Sequence, residues 1–77
     1  MAEQALTHEL LMNSIHLVAM MAVSEIAREL NADPTDTLLQ FMQSPAARAL
    51  YDPETAFWCE GPSAVAAEYM RERKEHL

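Results

Sequence analysis

The residues in this chain that could do chemistry are three histidines, one cysteine and a scatter of acids, and their spacing limits what they can do. His8, Glu9 and His16 invite a metal reading. A helix would set His8 and His16 about 12 Å apart at 1.5 Å per residue and aim them in different directions. Paired ligands on one helix need a spacing of three or four, as in HExxH. These histidines therefore read as partly exposed helix residues, and no metal is expected. A nucleophilic Cys59 would need His8, His16 or His76 as its base, and nothing in the spacing brings them together. The acidic neighbour Glu60 also disfavours a thiolate, so Cys59 reads as a small apolar residue beside Trp58. Asp52, Glu54 and Glu60 lie in or near a turn, where acids are ordinarily solvated. Gly61 is the only glycine, which leaves no phosphate-cradling loop. No catalytic residue and no cofactor is expected from this inventory.

Phe57 and Trp58 are the remaining candidates, and two readings stand for them. They can pack their turn onto the helices as anchors of a small core, or form an exposed aromatic hot spot for a partner. The six methionines suit either a loosely packed core or an adaptable contact surface.

The elements that must position these residues read as helices throughout. From about Glu3 to Leu30 the chain has no Gly or Pro and high helix propensity, although Thr7 could cap a later start. Leu11, Ile15, Val18, Ala22 and Ile26 make one apolar stripe, widened by Met12, Ala19, Val23 and Leu30. Leu6, Leu10, Leu17 and Met20, with Asn13 and Ser24 interleaved, make a second seam on another side. A helix with two apolar faces must be covered twice. Asn31 suits a left-handed helix end. Asp33 and Pro34 then signal a capped second helix to about Gln43, with Asp36 in the capping-box position. Ser44 and Pro45 repeat the signal for a short third helix to Leu50 or Tyr51. Asp52-Pro53-Glu54-Thr55 reads as a type I turn, and Ala56 to Cys59 favours extended backbone. Gly61-Pro62 opens a last helix to about Lys74 whose inward residues are Val65, Ala66, Tyr69 and Met70.

Composition narrows the partner. The chain has 77 residues, 51% of them hydrophobic, and a formal net charge of -7. A chain near this size buries only about 60% of the surface its unfolded form exposes, so this much apolar side chain points to an oligomer or a bound partner. Arg71, Arg73 and Lys74 are the only clustered cations. They suit the negative end of a C-terminal helix, and neither nucleic acid nor an anionic membrane surface is an expected partner. The apolar run from Leu10 to Val23 reads as too short to span a bilayer and is interrupted by Asn13, Ser14 and His16. With no secretory signal pattern and a lone cysteine, a reducing, cytoplasmic setting is expected.

Ser24-Glu25-Ile26-Ala27, Asp33-Pro34 to Leu39, and Leu50 through Trp58 with Glu60-Gly61-Pro62 together resemble a group of short bacterial helical proteins of unknown function, some encoded beside toxin-like genes. The resemblance spans about Ser24 to Tyr69. It implies a binding role toward a neighbouring gene product and brings no catalytic residues with it.

The expectation is thus a single all-α domain over residues 1–77, a small bundle of three to four helices with a long N-terminal helix and an aromatic turn before the last helix. Its expected function is protein–protein interaction. The chain is expected to be a homodimer through Leu6, Leu10, Asn13, Leu17, Met20 and Ser24, with a heterologous partner possible in an antitoxin-like or adaptor role. The rival expectation is a small-molecule-binding or enzymatic domain with a pocket near Phe57 and Trp58.

Overall fold

Helix-compatible residues run unbroken from the N-terminus until Asn31, and the first helix follows them. The computed structural model describes residues 2–75, with side chains from His8 onward. Helix α1 spans Ala2–Leu30, α2 Pro34–Met42, α3 Pro45–Leu50 and α4 Pro62–Glu75. Two 3₁₀ turns, Pro53–Thr55 and Phe57–Glu60, lie between α3 and α4, and there is no strand among the described residues. Helix α1 passes through Thr7 rather than starting there.

Each break is made by the residues around it. Asn31 has φ 52°, the left-handed value that ends α1. The Asn31 N–H donates to Arg28 O at 3.3 Å and the Ala32 N–H to Ala27 O at 2.9 Å, the bond pair of a Schellman ending. Asp33 then caps α2 by accepting from the Asp36 N–H at 3.1 Å, and Pro34 takes the first helical position, where its missing N–H costs nothing. Ser44 does the same for α3. Its Oγ accepts from the Ala47 N–H at 3.2 Å and donates to Phe41 O at 2.6 Å, so one buried hydroxyl joins the end of α2 to the start of α3.

Between α3 and α4 the expectation of extended backbone fails. Ala56 is left-handed, with φ 53°, and Phe57–Glu60 closes as a 3₁₀ turn. An extended segment here would leave its N–H groups without a partner strand. The 3₁₀ turn instead satisfies them locally, with Cys59 N–H donating to Ala56 O at 3.0 Å and Gly61 N–H to Trp58 O at 3.4 Å. The expected turn at Asp52 to Thr55 is present as the first 3₁₀ turn, with the Thr55 N–H donating to Asp52 O at 3.1 Å. The Thr55 hydroxyl fixes both turns to α3. Its Oγ1 lies 2.6 Å from Ala49 O and accepts from the Phe57 N–H at 3.2 Å.

The core draws on every α-helix. Ile15, Ala19, Ala22, Val23 and Ile26 of α1 pack with Phe41 of α2, Ala46, Ala47 and Leu50 of α3, and Val65, Ala66 and Tyr69 of α4. The rings of Phe41 and Tyr69 meet at a tilt, with centroids 5.6 Å apart. Helix α4 braces α3 from outside as well, since Glu72 Oε1 accepts from the Ala46 N–H at 3.3 Å, one of the donors that a helix start leaves free. The described chain measures 46 × 22 × 18 Å. A helix of α1's length is about 43 Å long, so α1 sets the long dimension and the shorter helices gather along part of it.

Candidate interaction surface

On α1 the inner stripe is covered as its spacing predicts. Ile15, Ala22 and Ile26 are fully buried, Leu11 and Val18 half-buried. The second seam has no cover: Leu10 is 59% exposed, Leu17 62% and Met20 52%. Asn13 between them and Ser24 one turn beyond are exposed too, and so is Met21. Leu6 falls outside the residues whose side chains are described. From Leu10 to Ser24 the sequence has no charged residue, and this stretch of helix is about 21 Å long. Leu17, Met20 and Met21 at 3- and 4-residue steps, with Leu10 two turns before them on the same bare side, form the kind of patch that marks an interaction surface.

At His8 to Leu10 helix α1 is exposed on more than one side. His8, Glu9 and Leu10 point about 100° apart on the helix, and all three are exposed. Isolated helical turns are marginal in water, which makes this end a second sign of a missing neighbour.

Spacing alone had left His16 as a surface residue, and the structure gives it a partner. Its Nδ1 lies 2.9 Å from the Tyr51 hydroxyl, with ring centroids 5.3 Å apart, tying α1 to the end of α3. Partial burial pushes the Tyr51 phenol above its ordinary range. His8 is not near this pair in register, and among the described residues no group of three or more His, Cys, Asp or Glu is placed to hold a metal ion. Cys59 is exposed rather than tucked beside Trp58 as a small packing residue. Phe57 and Trp58 fall between the two expectations: both are half-buried and pack against the core.

Three of the open hollows lie among the described residues. Two of them, about 470 and 360 Å³, share Glu25, Glu29 and Ser63 in the groove between α1 and α4, where the Ser63 hydroxyl donates to Glu25 Oε2 at 3.2 Å. The third, about 270 Å³, lies among Gln40, Ser44, Tyr69 and Glu72. None of these three is lined by Phe57 or Trp58. On α4, Arg71 bonds both Glu68 and Glu75, so one of the three clustered cations is neutralised by its own helix. That pairing holds the Glu68 carboxyl below its usual range, with the hydrogen bond from Arg71 as the main cause.

The expectation that the apolar run is too short for a bilayer needs correction. His8–Leu30 is 23 residues long, and with a mean hydropathy of 1.6 over its most apolar 18 residues it is long and apolar enough to cross a membrane by length and composition. Asn13, Ser14 and His16 interrupt the run without pulling the average over the helix below what a bilayer tolerates. A third of the most apolar stretch is buried against the rest of the chain, as in a core helix. No protein-family model, no curated protein and no solved structure matches the chain. The resemblance carried by the caps and turns therefore bears on function only as a proposal.

Proposed function

We propose that this protein is an interaction module that acts as a homodimer through the outer side of α1, and that it serves a bacterial partner as an adaptor or antitoxin-like protein in the cytoplasm. The observation that carries this reading is the exposed seam of Leu10, Leu17 and Met20 on a stretch without charge. In a chain of net charge -7, two copies repel wherever their acidic surfaces approach. The seam is a place where they meet without bringing like charges together. Burying a leucine contributes roughly 1.5–3 kcal/mol, so a few on each subunit offset the entropy lost on association, and a two-fold contact is the commonest arrangement.

The same charge supports a protein partner over a nucleic acid, because phosphate backbones need clustered cations and Arg71 is already paired with Glu68 and Glu75. Sedimentation equilibrium at micromolar concentration tests the reading. The parent should sediment as a dimer, and Leu17→Glu should sediment as a folded monomer. A parent that remains a clean monomer sinks the proposal.

A further inference from the structure

Resting on the homodimer reading above, we infer that the second copy packs in parallel and in register, with Asn13 of one α1 facing Asn13 of the other. Leu10, Asn13, Leu17, Met20 and Ser24 follow one another by steps of three, four, three and four. That is the heptad rhythm of a two-helix seam, with Leu10, Leu17 and Ser24 at the a positions and Asn13 and Met20 at d. All five are exposed on the side of α1 that faces away from its own bundle. A seam of this period takes a helix crossing at a shallow angle along its whole length. Among the described helices only α1 is long enough to lie along it, and a second copy supplies another.

Orientation is decided by the polar members of the seam. In a parallel, in-register pair every residue meets its own kind: leucine meets leucine, Asn13 meets Asn13 and Ser24 meets Ser24. An antiparallel pair layers a against d: the register that meets Asn13 with the partner's Ser24 sets Leu10 against Ala27, which its own core buries, and the register that covers Leu10 sets it against the partner's Met20 and Asn13 against the partner's Leu17. The amide would then lose its bonds to water and gain none, whereas two facing asparagines satisfy each other. Charge favours the opposite orientation, because a parallel pair brings the exposed Arg28 side chains to the same end. Exposed like charges weigh little at physiological salt, and a desolvated amide without a partner weighs more. The parallel arrangement wins.

The full chain carrying Cys59→Ser and Arg28→Cys, spin-labelled at position 28, distinguishes the orientations by dipolar distance measurement. Both positions are exposed, and position 28 flanks the seam at its carboxy-terminal end without being one of its five residues. A parallel dimer places the two labels within about 20 Å, the ~10 Å spacing of packed helices plus the labels themselves. The antiparallel layering places them about 40 Å apart along the helix axis, and that result in a protein that still sediments as a dimer overturns the orientation while leaving the dimer intact. A monomer by sedimentation overturns both. In the same labelled protein, Asn13→Leu should broaden the distance distribution, because an all-apolar seam can slip or reverse. A distribution as narrow as the parent's would remove Asn13 as the residue that sets the register.

Discussion

Ile15 and Leu17 lie two residues apart on α1, yet the first is fully buried and the second is 62% exposed. The same contrast runs along the helix, with Ala19, Ala22, Val23 and Ile26 covered and Leu10, Met20 and Met21 bare. Size distinguishes the two sides as clearly as burial does. The inner side is rich in alanine, and Ala46, Ala47 and Ala66 answer it from α3 and α4. Small residues let helices approach closely, so the short segments of this chain can pack tightly against that side. The outer side has long, flexible side chains that need a wider surface to bury them. An apolar face by itself does not specify its neighbour; the sizes of its side chains indicate how near the neighbour must come.

Substitution on each side puts this comparison to the test. The largest effect should come from Ile26→Ala on the inner side. Removing a fully buried aliphatic side chain costs about 2–5 kcal/mol, a large share of the 5–15 kcal/mol that holds a typical domain together. Urea titration followed by circular dichroism measures it, and a loss under about 1 kcal/mol would mean that the inner side is loosely packed. Trp58→Ala ranks next. Trp58 is only half-buried against the core, so the cost should be about 2 kcal/mol, roughly half that of a fully buried tryptophan. If Trp58→Ala melts like the parent but no longer associates, Trp58 belongs with the outer surface instead. The smallest effect should come from Leu17→Ala, studied at a concentration low enough for single chains. There the change should stay within about 0.5 kcal/mol, as for other surface substitutions. A loss as large as that of Ile26→Ala would show that the outer side is covered within one chain and that the two sides do not differ.

Much of this was legible in the residues. Both apolar stripes of α1 could be read from their spacing, and so could which of them the shorter helices cover, because three short segments cannot surround a long one. The aromatic segment was misread. Phe57-Trp58-Cys59 has extended propensity, but propensity yields where no second strand exists to pair with it. The hydroxyl of Thr55, bonded back to Ala49 and forward to Phe57, favours the 3₁₀ turn instead. The exposed Met21, Leu39 and Met42 could not be told from core residues by type, since methionine and leucine serve both environments.

By itself the sequence determined where each helix stops and starts. Asn31, Asp33-Pro34, Ser44-Pro45 and Gly61-Pro62 act through backbone dihedrals and capping bonds that reach no further than a helical turn, so their effects are local and readable. Only the tertiary structure decided that His16 meets Tyr51, that Glu72 caps the start of α3 and that Ser63 reaches Glu25. These bonds join residues 35, 26 and 38 positions apart. They depend on the angles at which α3 and α4 dock onto α1, and those angles follow from the packing of alanines and aromatics in the core. The exposure of His8, Glu9 and Leu10 belongs with them, because it follows from where the shorter helices dock along α1.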